Sequence, residues 1–308
     1  MTIILTAIGK RVELIKHLKT KGRVVGVDSS ELNVGRYYTD GFYVIPKASQ
    51  SGYIEALIDV CSKEKADYII PLHEAEFDIL CNNRSRFDEI GVTLVLSDKA
   101  VIDICKDKYK TSAFFEKYSL SYPKTYDKNN REAIKYPVII KPADGMGSMG
   151  VFVVEDEDDL SYALKKTENP IIQEKIDGTE YTMDVLCDMK GEIVYIVPRE
   201  RLEVRDGEVN KSRVVKDDSI IELSKKVVSS LRQEGTVRGP LTLQCFKTSS
   251  ADLKMLEINP RFGGGVPLSF AAGADYADAL LAMSEKRDIS INGISEKTML
   301  RFDDSIFI

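Results

Sequence analysis

The segment Leu256-Glu257-Ile258-Asn259-Pro260-Arg261 closes an expected β-strand with an acid, an amide and a guanidinium in close order. Side chains alternate along a strand, so Glu257 and Asn259 face one side while Leu256 and Ile258 face the other. A second apolar run lies upstream at 241–247. If the two runs form a hairpin centred between Ser250 and Ala251, Gln244 lies directly opposite Glu257, with Cβ atoms about 4.5–5.5 Å apart. Three oxygen-bearing side chains then share one face. Hard oxygen donors with few carboxylates suit Mg²⁺, which keeps waters and takes further ligands from phosphates. Arg261, just past the strand end, is placed to neutralise charge on a transferring phosphoryl group. A polar sheet face on a strand stopped by proline is the competing explanation, and periodicity alone does not separate the two.

Further upstream, Lys141-Pro142-Ala143-Asp144-Gly145-Met146-Gly147-Ser148-Met149-Gly150 joins strands expected at 136–141 and 151–154. Its glycines let the backbone approach a ligand and present N–H groups to phosphate. It is not a Walker loop, because no G-K-[ST] is present and a strand follows instead of a helix. Alone, it also fits a flexible hairpin. Ile172-Gln173-Glu174-Lys175-Ile176-Asp177-Gly178-Thr179-Glu180 reads as a strand end and a glycine turn. Backbone groups there can read an adenine edge, with Glu174 or Glu180 accepting ribose hydroxyls; taken alone, a solvated strand end fits better. Arg199, Arg201, Glu203 and Arg205 alternate on one strand before a turn at Asp206-Gly207. Guanidinium forks suit a substrate carboxylate or phosphate, and Arg199 and Arg201 lie nearer the presumed centre. A charge-mixed edge strand is the alternative. Gly263-Gly264-Gly265 offers backbone to line an acyl site.

The amino-terminal third is organised differently. Apolar runs at 3–6, 24–28, 42–45, 68–71 and 93–96 are mostly separated by helix-like stretches such as 11–20 and 54–65. This alternation predicts a parallel sheet with helices on both faces. Ser97 reads as the N-cap of a helix carrying Val101, Ile102 and Cys105, and Asp107 as the cap of a second helix ending near Tyr118. The remainder predicts antiparallel strands at 181–186, 193–198, 202–205, 241–247 and 253–259, with helices at 219–233 and around 275–284.

At 308 residues the chain has room for two or three packed units. A net charge of -6 gives a nucleic acid no overall attraction. The 5 scattered cysteines, with no C-x-x-C pair, predict reduced thiols and a cytoplasmic setting. With only 2 histidines, a zinc site or a histidine triad is not expected. The apolar start is too short for a signal peptide and reads as a strand. No run approaches the roughly 20 apolar residues of a membrane span.

Taken in order, these segments resemble the ATP-grasp superfamily, specifically its carbamoyl-phosphate-synthase-like and carboxylate–amine ligase members. Thr6-Ala7-Ile8-Gly9-Lys10-Arg11-Val12-Glu13-Leu14 and Pro71-Leu72-His73-Glu74-Ala75-Glu76 look like the family's preceding α/β domain. Asp107-Lys108, the Lys141 strand with its loop, Glu174-Lys175-Ile176 and Gln244…Glu257-x-Asn259-Pro260-Arg261 match the core. The resemblance implies a mixed α/β and α+β fold: a parallel pre-ATP-grasp domain at 1–98 and an ATP-grasp domain at 99–308. The latter divides into a small α+β lid at 112–173 and an antiparallel subdomain at 174–308.

It further implies that Lys108 and Lys141 contact ATP phosphates under a loop carrying Gly145, Gly147, Ser148 and Gly150. Lys106 and Lys110 flank Lys108 and compete for that assignment. Glu174, Lys175, Ile176 and Leu256 would surround adenine, and Glu180 the ribose. Gln244, Glu257 and Asn259 would hold Mg²⁺, or Mn²⁺ in its place. Arg261 and Lys141 would be catalytic, with Arg199, Arg201 and Gly264 around the substrate. The implied reaction joins a small carboxylate to a small amine through an acyl phosphate, and a homodimer is compatible with it. A single ATP-grasp unit without an amidotransferase is not expected to make carbamoyl phosphate by itself, and biotin carboxylases extend further. Two rivals are an ATP-binding regulator without turnover and an NAD-dependent oxidoreductase. The latter needs three glycines where Thr6–Lys10 offers only Gly9.

Overall fold

The computed structural model describes residues 1–145, 150–205 and 207–308. Five short runs rich in β-branched residues form a parallel sheet in the order β3-β2-β1-β4-β5. These are β1 (Thr2–Thr6), β2 (Arg23–Asp28), β3 (Gly41–Val44), β4 (Tyr68–Pro71) and β5 (Thr93–Leu94). All four pairings within it are parallel, as the strand–helix alternation predicts. Both faces are covered, which is why Ile3, Ile4 and Leu5 are all fully buried.

A four-stranded antiparallel sheet follows, ordered β6-β9-β7-β8. It contains β6 (Thr125–Tyr126), β7 (Val138–Pro142), β8 (Phe152–Val154) and β9 (Pro170–Glu174). Asp156 caps the helix Glu157–Lys166 against this sheet, accepting from the N–H groups of Asp158 and Asp159. The third sheet has six antiparallel strands in the order β14-β13-β10-β11-β12-β15. They are β10 (Thr179–Cys187), β11 (Ile193–Arg205), β12 (Glu208–Val214), β13 (Gly239–Lys247), β14 (Leu253–Asn259) and β15 (Thr298–Leu300).

Two local expectations are corrected. Residues 193–205 form one continuous strand instead of two. Register irregularities between Arg201 and Val204 absorb the break in alternation while pairing with β12 continues. Ser97 does not cap the helix Lys99–Lys106; Asp98 holds the N-cap position, without a side-chain capping bond. Both residues are engaged elsewhere. The Ser97 hydroxyl accepts from Arg238 N–H at 3.1 Å, and Asp98 accepts from Thr236 N–H at 2.9 Å. They tie the end of the parallel unit to the approach to β13. Asp107 does cap the helix Lys108–Lys117, as its position predicts, accepting from Tyr109 and Lys110.

One apolar core joins the first and third sheets. Ile3, Leu5 and Ile70 pack in the same cluster as Leu186, Val197, Phe262, Tyr276 and Leu280. The His17 ring stacks on Phe270 with centroids 3.9 Å apart, and its Nε2 accepts from Ala277 N–H at 3.2 Å. Phe262, only 1% exposed, sits within this shared cluster. Phe262→Ala should therefore cost about 3–5 kcal/mol through lost burial and the cavity left behind. Because the core is shared, the parallel and antiparallel units should unfold together. Urea titrations following tyrosine fluorescence and far-UV circular dichroism check this; separate transitions would contradict the shared core.

Candidate active site

Cross-strand pairing places Gln244 opposite Glu257, the partnership read from the hairpin. The route to it includes a bulge. Near the hairpin tip Cys245 pairs with Met255, and the register then shifts by one before Gln244 meets Glu257. The extra residue is Leu256. Met255 and Ile258 enter the core beneath the sheet, while Leu256, Glu257 and Asn259 all reach the opposite cavity. Strict alternation, which sends Leu256 to the face away from Glu257, is thus corrected by the bulge.

That cavity has a volume of about 840 Å³. Its floor is one face of the six-stranded sheet, with Thr242, Gln244 and Phe246 from β13, Glu180 from β10, and Arg199 and Arg201 from β11. The other face of β13 sends Leu241, Leu243 and Cys245 into an apolar cluster with the helix Asp218–Leu231. Period-two alternation therefore separates the polar cavity from the core. The four-stranded sheet supplies Ile139, Lys141, Gln173 and Glu174, followed by Lys175 and Ile176. The parallel unit supplies Arg11, Glu74 and Ala75, which the sequence reading did not assign to a site.

Two lysines approach Glu257 from above. Lys141 is partly buried, and the resulting desolvation lowers its pKa to about 8, with Lys108 pushing the same way and Glu257 opposing. Lys141 has no hydrogen bond or ion pair among the described residues. Burial also lowers the pKa of Lys108, whose Nζ donates to Gly145 O at 2.7 Å and Ala143 O at 3.3 Å. Of its neighbours, Lys106 lines the cavity but pairs with Asp78, and Lys110 is not on the wall. Asn259 donates its amide N–H to Glu257 Oε1 at 2.9 Å, holding both side chains on one face. The donor set is one carboxylate and two amides, which fits Mg²⁺ completed by phosphate and water oxygens.

The carboxylates and arginines are more committed than the sequence suggests. Glu174 pairs with Lys254 and accepts from Lys124 N–H at 2.9 Å, so its carboxylate is already held while its residue lines the wall. Arg201 lies 3.0 Å from Glu180, joining two expected ligand residues to each other. Burial raises the pKa of Glu180, and Arg201 opposes that rise. Arg199 is fully buried and donates to Asp184 through Nε at 2.8 Å and Nη2 at 3.3 Å. Ser269 also donates to Asp184, at 2.6 Å. Two of the three Arg199 nitrogens are therefore held by Asp184, while Nη1 lacks a partner among the described residues and Arg199 lines the cavity. Gly265 belongs to the same arrangement, since a Cβ there would come within 2.6 Å of Arg199 Nη1.

Arg261 pairs with Glu74 at 3.0 Å, a contact that brings the parallel unit to the carboxyl-terminal end of β14. Gly264 and Gly145 also line the cavity. Gly150 packs on Pro142 and is not part of the wall, whereas Gly147 and Ser148 lie outside the described residues. Gly9 and Asp28, which imitate a dinucleotide-binding start, engage each other at 3.3 Å, and Asn33 donates to Asp28 at 2.7 Å. Asp184→Ala should strand a buried guanidinium and cost about 3–5 kcal/mol, with Asp184→Asn less severe. Denaturant midpoints of the two variants measure the difference; equal stability of wild type and Asp184→Ala would contradict the geometry.

Comparison with known proteins adds an independent line. Residues 105–265 match the model of the ATP-grasp domain, and residues 3–95 match the PylC-like, N-terminal domain. The carbamoyl phosphate synthase large chain of Clostridium beijerinckii is 26% identical over 247 residues, covering 73% of this chain and 22% of that protein. The chain thus spans about a fifth of the length of the first such relatives. The D-alanine–D-alanine ligase of Fusobacterium nucleatum is 27% identical over 163 residues, covering 51% of this chain and 56% of the ligase. Among solved structures, N5-carboxyaminoimidazole synthetase from Staphylococcus aureus, complexed with ADP, superposes with a TM-score of 0.78 at 18% identity. That match covers 98% of this chain and 82% of the synthetase. Biotin carboxylase from Campylobacter jejuni gives 0.76 at 19% identity, covering 94% and 72%. Three sheets in this arrangement, a cavity lined by Lys141, Gln244, Glu257 and Asn259, and the match across 105–265 lead to one assignment: the chain belongs to the ATP-grasp family.

Proposed function

We propose that this chain is an ATP-dependent carboxylate–amine ligase that activates an acid as an acyl phosphate. The observation that carries the reading is the convergence of Lys108, Lys141, Gln244, Glu257, Asn259 and Arg261 on one cavity. Lys141 and Lys108 bring positive charge to the polyphosphate. Adenine lies between Leu256 and the backbone of Lys175 and Ile176, with Glu180 toward the ribose. Gln244, Glu257 and Asn259 would hold Mg²⁺, which when bound neutralises phosphate charge and orients the transferring group.

In the first step a substrate carboxylate oxygen attacks the γ-phosphorus and the bond to ADP breaks. In the second, an amine nitrogen attacks the acyl carbon, phosphate leaves and the nitrogen loses a proton. Arg261, held by Glu74, faces the oxyanions that develop in both steps. The four-stranded unit covers the nucleotide and excludes the water that would hydrolyse the acyl phosphate. Positioning and charge neutralisation are the protein's contributions. The names of the relatives, a D-alanine–D-alanine ligase and a synthetase complexed with ADP among them, support this reading.

Glu257→Gln removes the only carboxylate from the oxygen-donor set and should abolish Mg²⁺-dependent phosphate release while leaving the fold intact. A phosphate-release screen across acid and amine pairs, with circular dichroism of the variant, tests it. Near-normal turnover would overturn the metal assignment.

Lys141 gives a second test. With its pKa lowered to about 8, its charge is present below that pH and is lost above it. Affinity for Mg²⁺–AMP-PNP should fall as pH rises from 8 to 9, approaching about tenfold per pH unit at the limit. Lys141→Arg stays charged across that window and should flatten the slope. Calorimetric titration at several pH values measures both, and a flat wild-type profile would remove Lys141 from the phosphate site.

A further inference from the structure

The charged groups at the end of the cavity nearest the parallel unit do not balance. Three guanidinium groups meet there, from Arg11, Arg261 and Arg301, together with Lys10 and three carboxylates, those of Glu74, Glu208 and the exposed Glu13. Glu74 holds Arg261 at 3.0 Å. Glu208 is shared by Arg301 at 3.1 Å and Lys10 at 3.7 Å. Arg11 is left over: among the described residues its side chain makes no hydrogen bond and no ion pair within 4 Å. It is also partly buried, so bulk water does not fully solvate it. Burial lowers its pKa to about 10, with the nearby charges of Arg261 and Arg301 acting in the same direction and Glu208 opposing them.

The space beside Arg11 is defined by Gly264. A Cβ at Gly264 would lie 3.6 Å from Arg11 Nη1, 3.9 Å from Glu208 Cδ and 4.0 Å from Arg301 Nη1. The absence of a side chain at Gly264 thus leaves room where these groups converge. Arg11 lines both the large cavity and a smaller recess bounded by Lys10, Glu13, Leu14 and Arg301. The helix Val12–Lys19 starts at that recess without a side-chain cap, which adds to its positive potential.

We infer that Arg11 anchors a second anionic group of the acid substrate, a carboxylate or a phosphate, in a subsite formed with Arg301 and the backbone at Gly264. The inference rests on the ligase reading and narrows its substrate class to acids with two anionic groups. One group reacts beside Arg261, and the other is held by a residue from the parallel unit. A guanidinium without a protein partner offers a planar pair of donors for such a group. The anion supplies the missing negative charge beside Arg11, with Arg301, already paired with Glu208, as the second and weaker donor.

Calorimetric titration of the full chain with matched acids tests this. Succinate is compared with butyrate for a second carboxylate, and 3-phosphoglycerate with glycerate for a phosphate. Wild type should prefer the dianion in at least one pair by on the order of ten- to a hundredfold, the range of a charge-assisted hydrogen bond. Arg11→Ala should bring that ratio close to one, and Arg11→Lys should retain part of it. If Arg11→Ala fails to fold, Gly264→Ala narrows the same space at ordinary contact distance and should lower the ratio. No dianion preference in either pair, or a preference that survives Arg11→Ala, overturns the inference. The acids are titrated with and without Mg²⁺–AMP-PNP. Failure of the nucleotide to bind counts against the ligase, whereas the Arg11-dependent ratio is read from the acids in either state.

Discussion

The pairing of Gln244 with Glu257 across β13 and β14 is the constraint on which the cavity depends. Strand geometry sends one set of side chains to the polar face and the next into the apolar cluster beneath. A one-residue slip would exchange Glu257 with its apolar neighbours and put charge into the core. The bulge at Leu256 satisfies two demands together. Pairing at the hairpin tip remains regular, and the acid and amide still face the cavity with Leu256 added to its wall.

The same sheet face fixes the charges around it. Arg199 is buried against Asp184, Arg201 lies against Glu180, and Arg261 is held by Glu74. Charged side chains locked in this way lose little further freedom when a ligand arrives and are oriented before reaction, which favours electrostatic stabilisation. Arg199 lies on the floor of the cavity, held there by Asp184. Its partner Asp184 also binds Ser269, just after the glycine run, so the pair braces the backbone from Gly263 to Gly265. Lys141 and Arg11 have no such partners among the described residues, and they approach the cavity from β7 of the four-stranded sheet and from the start of the helix Val12–Lys19.

A shared apolar core explains how residues so distant in sequence can keep a fixed geometry. The parallel sheet contributes Ile3, Leu5 and Ile70, and the carboxyl-terminal region contributes Phe262, Tyr276 and Leu280, to one cluster. Arg261 and Glu74 meet at its edge. Interior packing resists small displacements, so the contact between the two units is held by the core as well as by the ion pair.

The sequence by itself determined the class of the first and third sheets, the capping of the helix after Asp107, and the convergence of Gln244, Glu257 and Asn259. Those features depend on period, turn chemistry and local pairing, which a linear chain displays directly. Sequence order also carried the family resemblance. Tertiary structure decided which charged side chains are already occupied. Glu174 finds Lys254, Arg199 finds Asp184, and Arg261 finds Glu74 across 187 residues. It also merged 193–205 into one strand, turned Leu256 toward the cavity and brought Arg11 to its wall. Such outcomes depend on contacts between distant segments and on bulges that alternation does not reveal, because burial and charge pairing are set by the assembled core.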